Sequence, residues 1–141
     1  MTLWIAFVAA IGALWVAING DWQASVREQN RIAAEQIIQR SREETLSAVL
    51  TLSAESDQLA YKQIVDEPEY EGWRQQADIF WASAKQRLAP LLTPAEFANA
   101  FAPANPSAFN PANAFDDSHG LEIRMLTEFA ARLRSISLKY A

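Results

Sequence analysis

Residues 3–18 read LWIAFVAAIGALWVAI, an apolar run in which Gly12 is the one weak helix former. Thr2 and Asn19 extend the uncharged stretch to 18 residues, and no Asp, Glu, Lys or Arg lies within the first 20 positions. An α-helix rises about 1.5 Å per residue, so the stretch corresponds to about 27 Å of helix. Because the hydrocarbon core of a bilayer is about 30 Å thick, the sequence predicts a transmembrane helix over residues 1–20.

Three tryptophans lie along this part of the chain, with Trp4 near the start of the run and Trp15 and Trp22 near its end. Indole rings favour the headgroup zone of a membrane, where the ring contacts apolar groups and the N–H stays hydrated. We therefore expect the three side chains to anchor the helix at the two interfaces. The competing interpretation is that they are ordinary apolar residues and that Trp15 lies within the span.

The N-terminal run lacks the features of a cleaved secretory signal. Such signals begin with a basic segment and end at a small-x-small site, whereas no Lys or Arg precedes the run and residues 17–20 (AING) fit that site poorly. The first basic residues after the run are Arg27 and Arg31. Since basic flanks favour the cytoplasmic side, we expect a single-pass membrane protein with its N-terminus outside and its C-terminal domain in the cytoplasm.

Small residues form a stripe along the predicted membrane helix. Ala6, Ala10, Ala13 and Ala17 follow one another at spacings of four, three and four, with Gly12 beside them. This spacing places the alanines on one face of a helix, and small residues let two membrane helices approach closely. The stripe predicts a packing seam for another membrane helix, although alanine is common throughout the chain and the spacing could arise by chance.

The remainder of the chain predicts helices and no strands. Residues 21–52 have the pattern of a long amphipathic stalk helix. Its predicted apolar face consists of Val26, Ala33, Ile37, Ile38, Leu46, Val49, Leu50 and Leu52. Residues 53–141 predict a helical bundle domain. The predicted fold class is therefore all-α, a single N-terminal transmembrane helix followed by a small helical bundle with one long irregular loop rich in Asn, Pro and Phe.

Local signals divide the predicted bundle into helices. We expect Pro68 to end one helix, an acidic turn at residues 66–72, and the next helix over residues 73–89. Thr93, Pro94 and Glu96 form a capping box that starts a short helix. A last helix is predicted over residues 119–138, and the core is expected to contain the following aromatic residues: Trp73, Phe80, Trp81, Phe97 and Phe129.

The irregular loop is predicted over residues 102–117. It contains Pro103, Pro106 and Pro111, each of which disfavours regular structure. Loops of this length are commonly functional, and aromatic residues are unusual in disordered linkers. We therefore expect the loop to contact a partner through three phenylalanines in and beside it: Phe101, Phe109 and Phe115.

Composition excludes several classes of chemistry. The chain has no cysteine and one histidine, so thiolate chemistry and multi-histidine metal centres are excluded. Its net charge of -5 is unsuited to nucleic acid, which requires clustered Lys and Arg. Asp116, Ser118 and His119 could be drawn as a metal or base cluster, but Asp and Ser before a helix are ordinary caps. We expect no enzyme activity, no metal and no cofactor.

These features predict a non-catalytic accessory or scaffolding subunit of a larger integral-membrane complex. Its expected partners are integral-membrane protein subunits and the lipid bilayer, with no nucleic acid. One alternative is a membrane-tethered signalling or regulatory module, in which residues 21–52 transmit a change to the bundle. The other is a small periplasmic helical protein whose leader is cleaved.

Overall fold

The computed structural model describes residues 2–105, 111 and 113–141, with side chains described from residue 13 onwards. The described residues form four helices and no strand: α1 Thr2–Ala60, α2 Glu67–Leu88, α3 Pro94–Ala100 and α4 Asp117–Ser137. The all-α part of the predicted fold class is therefore confirmed. The residues described between Phe101 and Asp116 belong to no helix.

The predicted transmembrane helix over residues 1–20 is wrong. Across the described residues, no helix contains a segment that is both apolar and long enough to cross a bilayer. Helix α1 runs from Thr2 without a break into the polar sequence that follows residue 20. The single-pass localisation and its orientation depended on that span and are corrected with it.

The chain divides into two compact units, Met1–Arg40 and Ser41–Ala141. The described residues of the first unit, 2–40, all belong to α1. The second contains the end of α1 together with α2, α3 and α4. Helix α1 is unbroken at residues 20 and 52, where the sequence placed segment boundaries. The predicted separation of a stalk over residues 21–52 from a bundle over residues 53–141 stays a prediction.

Helix α2 begins earlier than predicted, because Pro68 lies in its first turn instead of ending a helix. The carboxylate of Asp66 accepts a hydrogen bond from the backbone N–H of Glu69 at 2.9 Å and caps the helix. A proline in the first turn removes no helical hydrogen bond. Glu67 and Glu69 lie near the positive end of the helix dipole, so the predicted acidic turn is the helix N-terminus.

The two other predicted helix starts are confirmed. Thr93 and Glu96 form the reciprocal capping box at the start of α3, with Pro94 in the first turn. The Asp116 carboxylate accepts from the backbone N–H of His119 at 2.7 Å and caps α4. In each cap the two hydrogen-bonded residues are close together along the chain, so the sequence alone could reveal them.

Serine side chains join α1 to α4 in the second unit. Buried Ser56 donates its hydroxyl hydrogen to the carbonyl of Leu126 at 2.8 Å, and Ser53 donates to the carbonyl of Ala130 at 3.3 Å. Arg134 contacts the Ser53 hydroxyl at 3.0 Å and pairs with Asp57 at 2.6 Å. These side chains therefore connect two neighbouring helices of the second unit.

The second unit encloses an apolar core of its own. Of the aromatic residues predicted for it, Trp73, Phe80 and Phe129 are buried, whereas Trp81 and Phe97 are half-buried at its edge. Burial of apolar area is the main stabilising contribution in such a bundle. The fully or nearly fully buried members of this core are Val49, Leu52, Ala60, Trp73, Ala77, Ala84, Leu88, Ala100, Leu126, Phe129 and Leu133.

Candidate functional site

The first unit exposes an apolar face on α1. Successive residues of a helix are about 100° apart around its axis. Residues that follow one another at alternating spacings of seven and four therefore stay within an arc about 100° wide. The residues on this face and its margin, which we call the α1 stripe, are Trp15, Ile18, Trp22, Val26, Ala33 and Ile37. All of them are exposed except Val26, which is half-buried.

The charged side chains of the same segment lie on the other side of the helix. Arg31 contacts Glu28 at 2.7 Å and Glu35 at 2.6 Å. The hydrogen bond from Arg31 lowers the pKa of Glu28 despite a small opposing effect of desolvation. From Trp15 onwards, Arg40 is the first charged residue on the side of the α1 stripe. About seven helical turns therefore carry an uncharged face.

The predicted site residues in α1 lie on two different sides of the helix. Trp15 and Trp22 lie together in the α1 stripe, whereas Ala13 and Ala17 lie on the opposite side of the helix, where both are exposed. The side chains of Trp4, Ala6, Ala10 and Gly12 lie outside the described residues. The predicted small-residue seam therefore stays a prediction.

An aromatic cluster in the second unit includes Phe101, the first of the predicted partner-contact phenylalanines. The ring of Phe101 lies 4.6 Å from that of Phe97, 5.1 Å from that of Phe129 and 6.3 Å from that of Trp81, measured between centroids. Trp81 and Phe129 meet edge to face at 5.0 Å. Such pairs add to the stabilisation that area burial provides, so Phe101 is packed against the core while remaining half-buried.

A recess of about 320 Å³ opens beside this cluster. Its lining residues come from α2, α4 and the segment that ends α3, and they are Trp81, Lys85, Ala100, Phe101, Ala102, Met125 and Phe129. We call it the aromatic recess. Lys85 is the one charged residue among the described residues that line it, and its Nζ atom lies 6.0 Å from the ring centroid of Phe101.

A charged clamp fixes the chain beside the aromatic recess. The Arg132 guanidinium donates hydrogen bonds to the carbonyls of Ala102 and Pro103 and pairs with Glu128 at 2.9 Å. The Glu128 carboxylate accepts from the backbone N–H of Asn105 at 3.0 Å. Arg132 and Glu128 are four residues apart on α4, so one helix face holds the first residues of the irregular segment.

Phe115 belongs to a different aromatic group, around the buried imidazole of His119. The Phe115 ring is 5.5 Å from that of Tyr70, and the His119 ring is 4.4 Å from that of Trp73. The backbone N–H of Phe115 donates to Nδ1 of His119 at 2.9 Å. The sequence assigned residues 116–119 to a helix cap and did not indicate this burial, because Tyr70 and Trp73 come from a distant part of the chain. Phe109 lies outside the described residues.

Acid is expected to destabilise the protein through His119. Burial lowers the pKa of His119, and the nearby charge of Asp116 opposes that effect. A group whose pKa is lower in the folded state loses stability as pH falls, beginning near its unfolded value of about 6.5. The free energy of unfolding, measured with denaturant from pH 7.5 to 5, should therefore decrease toward acid.

The variant His119→Asn separates this effect from other titrations. An Asn side-chain oxygen can accept the Phe115 N–H bond but does not titrate in this range. We expect the variant to have a weaker pH dependence than the wild type between pH 7.5 and 5. Identical pH profiles for the two proteins would contradict the prediction.

In the described part of the chain, no group of three or more His, Asp or Glu side chains is placed to hold a metal ion. The acidic residues at 66–71 lie at the start of α2 and partly serve its capping. Their arrangement is accounted for by the helix dipole and the Asp66 cap.

Comparisons with known proteins identify no relative of this chain. No family model matches it, and no curated protein and no solved structure matches it either. The function is therefore inferred from the exposed surfaces and the chemistry of the described residues alone.

Proposed function

We propose that this protein is a non-catalytic scaffolding subunit of a larger protein assembly, which it joins by packing the α1 stripe against an amphipathic helix of a partner protein. The observation that carries the proposal is the exposure of large apolar side chains along an uncharged helix face. Contiguous exposed apolar surface is typical of interaction sites. The proposal includes no membrane anchor.

The spacing within the α1 stripe supports a helix as the partner element. Trp15, Val26 and Ile37 are 11 residues apart, as are Trp22 and Ala33. An 11-residue apolar repeat keeps side chains on one face of a nearly straight helix and allows side-by-side packing with slight right-handed supercoiling. When one amphipathic helix binds another, the contacts are made by apolar residues one or two turns apart.

The pairing of charges on the far side of α1 also supports this proposal. The Glu28–Arg31–Glu35 contacts are formed within the helix, so they stabilise α1 locally and need no partner. The second unit buries a core of its own, and the core residues all come from that unit. Interfaces commonly have an apolar centre and a polar rim, and this helix offers both.

The matched variants Ile37→Glu and Ile38→Glu test the proposal. The two side chains are 70% and 66% exposed, but only Ile37 lies in the α1 stripe. Burying an unpaired carboxylate against apolar side chains is costly, so Ile37→Glu should weaken partner binding about tenfold or more. Ile38→Glu should leave binding within about twofold of the wild type.

The measurement uses tagged full-length chain expressed in its native cells and quantified with co-purifying proteins. A partner retained at a fixed ratio with the wild type and Ile38→Glu, but lost with Ile37→Glu, supports the scaffolding role. A ratio that changes with growth conditions favours the regulatory alternative instead. Equal binding of both variants, or self-association of the purified chain as the sole interaction, would contradict the proposal.

A further inference from the structure

The aromatic recess has the composition of a small-ligand site, which is independent of the proposed role of α1. Three aromatic rings, those of Trp81, Phe101 and Phe129, line it together with the flexible side chain of Met125. Ligand sites are typically concave and mostly apolar, with a few polar groups that fix orientation. Lys85 is the single charged group of this kind among the described lining residues.

We propose that the aromatic recess binds a small organic anion with an aromatic body, such as an aryl or indolyl carboxylate. The aromatic walls provide edge and face contacts for a planar ring. The Lys85 ammonium is placed over Phe101 at the same site and supplies the positive charge that a carboxylate requires. The class of ligand follows from this pairing of aromatic rings with one cation.

The charge of Lys85 is available to a ligand. Lys85 forms none of the salt bridges among the described residues. Their basic partners are Arg31, Arg74, Arg87, Arg132, Arg134 and Lys139. No Asp or Glu lines the aromatic recess within the described residues. An anionic group at this position therefore meets a cation without a competing carboxylate, whereas a cationic ligand meets repulsion.

The site is pre-formed by the Arg132–Glu128 clamp. Ala102 lines the aromatic recess, and its carbonyl accepts a hydrogen bond from Arg132. The neighbouring Pro103 carbonyl accepts from the same guanidinium at 3.1 Å. Binding to a pre-formed site avoids the entropy cost of ordering a loop, so the wall formed by Ala102 is in place before the ligand arrives.

The volume limits the size of the ligand. The recess of about 320 Å³ lies near the lower end of the range of small-ligand pockets, which is about 300–1,000 Å³. One or two fused rings with a short acidic side chain suit a site of this size. Indole-3-acetate is therefore a suitable probe, and indole-3-acetamide is its uncharged analogue of nearly equal shape.

The test follows the Trp81 indole N–H signal in ¹H–¹⁵N NMR spectra of the full chain, assigned with Trp81→Phe. We expect indole-3-acetate to shift this signal saturably with a Kd of about 0.1–1 mM, and indole-3-acetamide to bind about three- to fivefold more weakly. Lys85→Met should reduce the affinity for the acetate to that for the amide while leaving the amide unchanged. Lys62→Met is the matched control, because Lys62 does not line the recess.

A second variant tests occupancy of the recess itself. Met125→Trp places a larger side chain at a half-exposed lining position and should abolish binding of both probes without unfolding the bundle. Absence of a saturable Trp81 shift up to the solubility limit of the acetate overturns the proposal. It is also overturned if Lys85→Met binds the acetate as the wild type does, or if Lys62→Met weakens binding equally.

Discussion

Replacing Trp73 with alanine should lower the free energy of unfolding by about 3–5 kcal/mol, in the range of large-to-small substitutions at buried aromatic residues. The side chain is fully buried in the core of the second unit. Its indole N–H donates to the carbonyl of Leu59 at 2.9 Å. The ring also packs against His119 and Tyr70, so the substitution removes contacts between α1, α2 and α4 at once.

Two further variants identify the cause of the loss. Trp73→Phe keeps an aromatic ring but removes the indole donor from the Leu59 carbonyl, which still accepts from the backbone N–H of Lys62 at 3.3 Å. This substitution should cost about 1–3 kcal/mol. Trp22→Ala removes an exposed tryptophan from α1 and should change stability by about 0.5 kcal/mol or less. Urea unfolding followed by circular dichroism measures all three. A loss in Trp73→Ala no larger than in Trp22→Ala would refute the assignment of Trp73 to the core.

Helix starts could be predicted from the sequence where the stabilising groups are close along the chain. The Thr93–Glu96 box and the Asp116 cap each join residues that are three positions apart, so residue type and spacing determined them. Pro68 is the instructive error, since proline is equally compatible with the end of one helix and the first turn of the next. The Asp66 cap, not the proline, decides between these two positions.

Features that depend on tertiary contacts could not be predicted. The roles of Ser53 and Ser56 require knowing that α4 lies against α1, and serine spacing carries no such information. The same limit applies to the candidate sites. Phe101 was predicted to contact a partner, but its neighbour Lys85 in the aromatic recess comes from a different helix and was not identified.

The α1 stripe shows how one pattern supports two interpretations. The predicted apolar face of residues 21–52 included Ile38 beside Val26, Ala33 and Ile37, but Ile38 lies on the other side of α1 from the α1 stripe. Trp15 and Trp22, which lie in the α1 stripe, were assigned to membrane interfaces. An exposed tryptophan beside an apolar residue suits either a lipid headgroup or a protein interface. Composition alone does not distinguish them, because both environments favour rings with an apolar body and a polar N–H.

Glu96 links the start of α3 to the end of the chain. Its carboxylate accepts hydrogen bonds from the backbone N–H of Thr93 at 3.1 Å and from the Tyr140 hydroxyl at 2.8 Å. Lys139 donates to the other carboxylate oxygen at 3.2 Å. Burial raises the pKa of Glu96, but the hydrogen bonds from Tyr140, Thr93 and Lys139 outweigh it and lower the pKa to about 2.

This pKa makes Glu96 an expected cause of acid denaturation. A carboxyl group whose pKa is lower in the folded state contributes stability above its unfolded value, about 4.5, and loses it as pH falls toward the folded value. With a side chain only 11% exposed, Glu96 should contribute about 3 kcal/mol that is lost between pH 4.5 and 2. The charge-free variant Glu96→Gln should lack this part of the pH dependence and be less stable at pH 7 by about 1–3 kcal/mol.

The difference between wild type and Glu96→Gln isolates this group, because the other carboxyl groups titrate in both proteins. Stability is measured by urea unfolding at pH 7, 5, 4 and 3, with Glu44→Gln as a control at an exposed carboxylate of α1. The gap between wild type and Glu96→Gln should stay constant from pH 7 to 5 and narrow from pH 5 to 3, because the unfolded wild-type chain takes up a proton at Glu96 near pH 4.5 while the folded chain does not. A gap that stays constant from pH 7 to 3 would show that the carboxylate charge of Glu96 does not stabilise the junction of α3 with Tyr140.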